Sequence, residues 1–161
     1  LPNPAKAATS TRVQLPATPR KGISMALHIL LPGAKPQGSK TAYVVNGRAV
    51  LVEASKDLKK HRQITSQAIA VSATRQGWIR REAQEPVSID IAFTIQRPKT
   101  VQRDKPAVKP DLDKLIRFVL DAITQAGNVW QDDAQVCKIV AVKKYGETNE
   151  TEILIHDQSD S

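Results

Sequence analysis

The stretch DLDKLIRFVLDAITQAGNVWQDD, residues 111–133, decides how this chain folds. Its apolar residues recur with the i, i+3, i+4, i+7, i+8, i+11 spacing of one helical stripe. The members of that stripe are Leu112, Leu115, Ile116, Val119, Leu120 and Ile123. Pro110 precedes the stripe and Gly127 follows it, as start and stop signals do. The stretch therefore predicts an amphipathic helix that buries one face.

Working outward, β-rich segments lie on both sides of this helix. Residues 87–96 alternate apolar and polar without a miss, which predicts a strand with one apolar face. Residues 26–31 and 151–155 predict two more strands. The apolar run QVCKIVAV, residues 135–142, is typical of a central strand.

A hairpin and a second helix complete the predicted order. Residues 42–45 and 48–52 flank Asn46-Gly47, the pair favoured in a type I′ turn. A helix is predicted over about 56–76, between Ser55 as N-cap and Gly77 as C′ residue. Its main apolar members are Leu58, Ile64, Ala68 and Val71. The order β, β-hairpin, α, β, α, β, β predicts an α/β protein of the mixed α+β type: one domain, with a mixed sheet of about six strands and two main helices.

The ends of the chain lie outside this pattern. Residues 1–24 hold four prolines among Ala, Thr and Ser and show no period, so we expect a flexible tail. The folded domain is expected over 25–157, followed by a short polar tail at 158–161.

Composition narrows the function classes. No apolar run approaches the roughly 18 residues of a membrane span, and a single cysteine, Cys137, excludes an intrachain disulfide. A reducing cytoplasm is therefore the expected location. Lys and Arg number 24 against 16 Asp and Glu, a net charge of +8. Such an excess fits a polyanionic partner, with nucleic acid first, or a mere surplus of solubilising charge.

The position of the acids favours the nucleic-acid reading. Asp111 and Asp113 stand at the start of the central helix, and Asp132 and Asp133 stand beyond its end. Carboxylates are the ligands that Mg²⁺ prefers, and Mg²⁺ assists phosphodiester hydrolysis. Singly, each Asp is more commonly a helix cap, an ion-pair partner or a turn residue. Two pairs after the basic segment 97–110 point to metal-dependent chemistry.

Geometry sets a condition on a shared site. A helix from 113 to 126 is about 20 Å long, and seven extended residues span at most about 23–25 Å. Asp133 can therefore join Asp111 and Asp113 only if residues 127–133 run back, extended, beside the helix.

The segment KPDLDKLIRFVLDAITQAGNVWQDDAQV, residues 109–136, resembles the RusA family of Holliday-junction resolvases, in its phage or prophage type. The family pattern is roughly K-P-D-x-D-N-L-x-K, then D-A-L, then D-D-x-Q-V. The Pro/Gly/Lys loop and hairpin of residues 32–52 extend the likeness, which covers about 26–155.

The resemblance implies a crossover junction endodeoxyribonuclease, a homodimer that binds four-way DNA junctions and nicks them symmetrically with Mg²⁺, for which Mn²⁺ can substitute. It places the essential aspartates, which are also the metal ligands, at Asp111, Asp113 and Asp133, with Asp132 less securely. The family's Asn is Lys114 here, and its catalytic Lys is Arg117. Arg keeps the charge and binds phosphate but does not donate its proton. No membrane and no small-molecule substrate is expected.

A set of basic residues is expected to contact DNA phosphates, and such contacts are salt-dependent and independent of sequence. The set comprises Lys35, Lys40, Arg97, Lys99, Arg103, Lys105, Lys109 and Lys114. The alternatives are a non-catalytic branched-DNA-binding protein of the same fold, suggested by Lys114 and Arg117, and a metal nuclease for other branched DNA.

Overall fold

The expected order of elements is present in the computed structural model, which describes residues 25–36, 41–45, 48–52 and 56–158. The elements are, in chain order, β1 Ala26–Leu31, β2 Thr41–Val45, β3 Arg48–Val52, α1 Lys56–Arg75, β4 Val87–Gln96, α2 Leu112–Ala126, a 3₁₀ turn Asp133–Gln135, β5 Val136–Gly146 and β6 Glu150–Asp157.

The strands form two separate sheets. Four of them join in the order β1-β6-β4-β5, with β4 and β5 parallel and the other neighbours antiparallel. Strands β2 and β3 form a two-stranded antiparallel sheet of their own. The expectation of one sheet of about six strands is therefore wrong, because in the described residues the hairpin pairs only with itself.

Strand β5 lies at an edge of the main sheet, so the expectation of a central strand is also wrong. Its apolar residues Ile139, Val140 and Val142 are each more than 40% exposed. These apolar residues lie on both faces of the strand, and this pattern is typical of a strand that is buried on both sides. Cys137, at its start, is exposed.

Helix α2 buries half of the predicted stripe together with residues outside it. Leu115, Val119 and Ile123 of the stripe are buried, whereas its other members, Leu112, Ile116 and Leu120, are only partly buried. Phe118, which lies outside the predicted stripe, is fully buried and shares one core cluster with the inward residues of β4 and β6. Gly127 ends the helix at φ 80°, in the left-handed region that glycine adopts without strain. This packing fixes where the two ends of α2 lie, and with them the acidic pairs.

Helix α1 buries a different stripe from the one expected. Leu58 is buried as predicted, but Ile64 and Val71 are 55% and 48% exposed, and Ala68 is exposed as well. The buried face includes Ile69 and the small residue Ser66. The Ser66 hydroxyl donates to the Gln63 carbonyl at 2.8 Å, so this polar residue is buried with its hydrogen bond satisfied.

Some expectations fall outside the described residues. These are the tail at 1–24, the Asn46-Gly47 turn, the phosphate contact at Lys40 and the last residues, 159–161. In the part that is described, neither helix is long and apolar enough to cross a bilayer.

The corrected face of α1 gives a paired test. Ile69→Ala is expected to lower the free energy of unfolding by about 2–5 kcal/mol, because it empties a fully buried site. Val71→Ala, on the exposed stripe, should change it by no more than about 0.5 kcal/mol. Urea unfolding of both variants measures the difference, and equal losses would contradict the burial described for α1.

Candidate active site

Asp111 stands at the N-cap of α2 but does not cap it. Its side chain makes no capping hydrogen bond, so Asp111 does not have the helix-cap role that is common for an Asp at this position. Its carboxylate instead meets the Lys114 ammonium at 3.0 Å. The hydrogen bond and charge of Lys114 lower the pKa of Asp111, with smaller contributions from Lys109 and Lys143. The carboxylate is therefore ionised over a wide pH range, as a metal ligand must be.

Asp113, two residues further along the chain, is exposed in the first turn of α2. It shares a surface stripe with Arg117 and Asp121, because these residues follow at i+4 and i+8. Asp121 forms an ion pair with Arg62 of α1 at 3.9 Å. Asp121 is thus paired with a residue of the other helix.

The chain after α2 turns back beside the last turns of the helix but does not run extended along its whole length, as a shared site would require. The indole N–H of the fully buried Trp130 donates to the Thr124 hydroxyl at 2.8 Å, so residue 130 stands beside the last turns of α2. Asp133, three residues on, interacts electrostatically with Asp121.

Gln135 holds this return in place, and its role was not predicted. Its side-chain oxygen accepts from the backbone N–H groups of Gln131 and Asp132, at 2.8 and 3.0 Å. Its amide nitrogen donates to the carbonyls of Glu82 and Glu85, at 2.6 and 3.0 Å. One buried amide therefore ties the Asp132-Asp133 turn to the 82–85 loop. The Gln of the D-D-x-Q-V pattern was the available signal.

Asp132 and Asp133 differ in their surroundings. The Asp132 carboxylate accepts from the Ala134 N–H at 2.8 Å and caps the 3₁₀ turn, which is a structural role. Partial burial raises the pKa of Asp133, and the neighbouring Asp132 and then Asp121 raise it further. The charged form of Asp133 is therefore disfavoured by both its partial burial and its acidic neighbours.

The acids form two groups rather than one. Asp111 lies among lysines at the start of α2, whereas Asp133 lies near Asp121, which is about 12 Å along the helix axis from Asp113. Within the described residues, no three His, Cys, Asp or Glu side chains are close enough together to hold a metal ion. The structure brings the chain back toward the start of α2 but does not join all three expected ligands.

The basic segment 97–110 is attached to the end of β5. The Arg97 guanidinium lies 5.1 Å from the Tyr145 ring, and the Arg103 Nε donates to the Tyr145 hydroxyl at 3.2 Å. The Lys143 ammonium donates to the carbonyls of Val108 and Pro110, at 2.7 and 2.8 Å. Neither Tyr145 nor Lys143 was singled out from the sequence, because their partners are distant backbone and arginine groups.

The expected phosphate contacts are mostly exposed. Lys35, Arg97, Lys99, Arg103, Lys105 and Lys109 are all solvent-accessible. Lys114 is engaged with Asp111. His61 is half-buried and stacks on the Phe118 ring with centroids 5.5 Å apart.

The fold and the candidate site together describe a basic α+β protein that carries acidic side chains around one helix and a basic segment leading into that helix. The chain belongs to the RusA family, described as endodeoxyribonuclease RusA, which matches residues 32–156. It is also similar to the uncharacterized protein YqaN of Bacillus subtilis (strain 168), with 30% identity over 86 residues. That match covers 46% of this chain and 59% of the length of the relative.

The Gln135 network predicts a large effect on stability. Gln135→Leu keeps the size of the side chain but leaves four part-buried backbone groups without this partner, so the free energy of unfolding should fall by at least about 2 kcal/mol. Gln131→Leu is the control, because the Gln131 side chain is exposed. Chemical denaturation compares the two, and an equally stable Gln135→Leu variant would rule out the structural role.

The raised pKa of Asp133 predicts a pH-dependent gain in stability on substitution. A raised pKa means that the folded chain binds the proton more tightly, so this stabilisation is complete below the ordinary value of 3.8 and is lost as pH rises through the raised pKa. At neutral pH the charged side chain opposes folding. Asp133→Asn should therefore raise the Tm at pH 7, with a gain that shrinks toward pH 3. Asp104→Asn, which removes a carboxylate among basic residues, should give no gain; a lower Tm for Asp133→Asn would contradict the account.

Proposed function

We propose that this protein is a metal-dependent endodeoxyribonuclease that resolves four-way DNA junctions by paired, symmetric nicks, in recombination and repair. The observation that carries the proposal is the family match over residues 32–156, which contains Asp111, Asp113 and Asp133 in the pattern of the family. Membership indicates deoxyribonuclease chemistry, and the net charge of +8 suits a polyanionic substrate.

The ionised carboxylates supply the ligands for a divalent cation. Asp111, Asp113 and Asp133 are the proposed ligands, with Asp132 contributing less directly because it caps a turn. A hard cation such as Mg²⁺, or Mn²⁺ in its place, would lower the pKa of bound water and stabilise charge on the phosphate. The donor types fit such an ion, although the described residues of one chain do not gather all three.

Basic side chains near Asp111 complete the proposed site. Lys114 neutralises Asp111 at 3.0 Å, so a cation bound by Asp111 would free Lys114 to meet a phosphate. Arg117 is exposed on the stripe of Asp113 and stays protonated, which suits it to hold phosphate charge and excludes it as a proton donor. The 97–110 segment, anchored by Tyr145 and Lys143, offers further phosphate contacts.

A homodimer is part of the proposal. Resolution requires two cuts related by a two-fold axis, and an isologous dimer presents two identical sites with that symmetry. The expected location is the cytoplasm of a bacterial cell, with a host or a phage as the source of the gene.

The separation of the acids favours one competing function. A non-catalytic branched-DNA-binding protein of the same fold would need the basic surface but not three converging carboxylates, and none converge within the described residues. Lys114 and Arg117, where the family pattern has Asn and Lys, point the same way.

Substitution of the acids distinguishes the two functions. Asp111→Asn, Asp113→Asn and Asp133→Asn should each reduce the cleavage rate of a synthetic four-way junction at least about 100-fold, or roughly 2.7 kcal/mol of transition-state stabilisation. Junction binding in EDTA should be unchanged or tighter, because each variant loses a negative charge near phosphate.

Asp104→Asn is the matched control, with the same charge change in the basic segment, and should cut at the wild-type rate within about twofold. Either Asp111→Asn or Asp133→Asn cutting as fast as wild type would show that the site assignment is wrong. Tight junction binding by wild type with no cleavage would favour the binding protein.

A further inference from the structure

Lys143 makes two hydrogen bonds that no expected role explains. Its ammonium donates to the carbonyls of Val108 and Pro110, which lie on the two sides of Lys109. Pro110 directly precedes Asp111, the first acid of the candidate site. A charged donor shared by two carbonyls is a stronger tie than an ordinary hydrogen bond.

The place of Lys143 in the sheet explains how it reaches this segment. In the parallel pairing of β4 and β5 it stands opposite Phe93, and therefore on the face of the sheet that carries the core. Tyr145, two residues on, shares that face and holds Arg97 and Arg103. This end of the edge strand thus serves as a support for the segment 97–110 rather than as a wall of the core.

The position of Asp111 depends on a few contacts. Its side chain makes no capping bond and pairs with Lys114 of the same helix, and its carbonyl accepts the helical bond from the Leu115 N–H at 3.2 Å. Among the hydrogen bonds of the described residues, the tie from Lys143 to Pro110 connects the residue before Asp111 to the sheet. Loss of that tie would remove this link and leave the start of α2 held by its own helical contacts and by the packing of Leu115 in the core.

We propose that Lys143 is a positioning residue, which fixes the segment 108–111 against the sheet so that the Asp111 carboxylate is held ready for a divalent cation. The cation rests on the proposed function, whereas the tie itself does not. The competing role is a direct phosphate contact. The geometry disfavours that role, because two of the three N–H groups of the ammonium already face carbonyls.

Three variants of the full chain test the idea. Lys143→Met removes the donors and keeps the length of the side chain. Lys143→Arg keeps donors for two carbonyls and should restore much of the effect. Lys144→Met is the control, because it removes the same charge from the next residue, on the opposite face of β5. Lys143→Gln, which is shorter and uncharged, replaces Lys143→Met if that variant does not fold.

Two measurements on the protein alone report the positioning. Hydrogen exchange of the peptide covering residues 106–113 should be faster in Lys143→Met than in wild type, Lys143→Arg or Lys144→Met, with β4 and β6 unchanged. Calorimetric titration of Lys143→Met with Mn²⁺ should show affinity weakened about 10-fold or more, the usual range for loss of a residue that orients a metal ligand.

A third measurement is the affinity for the junction in EDTA. The affinity of Lys143→Met should match that of Lys144→Met within about twofold.

Unchanged exchange at 106–113, or unchanged Mn²⁺ affinity, would overturn the positioning role. A loss of junction affinity in EDTA confined to Lys143→Met would identify Lys143 as a phosphate contact and overturn it too. The proposed function is tested separately by junction cleavage. If the wild type binds Mn²⁺ through this segment but cuts no junction, the proposed function is contradicted, whereas the positioning role of Lys143 stays supported.

Discussion

Burial of one face of α2 against the sheet is the constraint on which the rest of this structure depends. Phe118, Val119 and Ile123 are fully buried, so the helix can neither rotate nor slide without opening the core. Its fixed start places Asp111 beside the lysines, and its end at Gly127 sends the chain back past Trp130. The positions of both acidic pairs therefore depend first on the apolar packing of α2 and only secondarily on the contacts of the acidic side chains.

The hydrophobic pattern of the sequence predicted those elements that are determined by burial of their own residues. The stripe of α2 and the alternation of β4 were sufficient to define both elements, because periodicity reports burial directly. The apolar pattern of α1 was not sufficient to predict which of its faces is buried. The predicted residues Ile64 and Val71 are exposed, and the buried face includes Ser66, whose hydroxyl bonds to a carbonyl of the same helix. The edge position of β5, and the sheet count, depend on pairing between distant segments. The ties made by Gln135 and Lys143 end on backbone groups whose positions depend on the fold, and only Gln135 had a signal in the sequence, the D-D-x-Q-V pattern.

Electrostatics divides the candidate site into two unequal halves. Around Asp111, lysines lower the carboxyl pKa and keep the charge in place. Around Asp133, burial and neighbouring carboxylates raise the pKa, so the fold works against the charge there. Repulsion of this kind costs stability without a structural benefit, and it is common where function needs the charged group.

The proposed function of this protein is cleavage of branched DNA with a divalent cation. The most direct test incubates the purified protein with a synthetic four-way junction and with a linear duplex of the same sequence, in Mg²⁺ and in EDTA. The account predicts paired, symmetric nicks in the junction alone, and only with Mg²⁺. Cleavage of the linear duplex at an equal rate, or junction binding without nicks in any divalent cation, would contradict it.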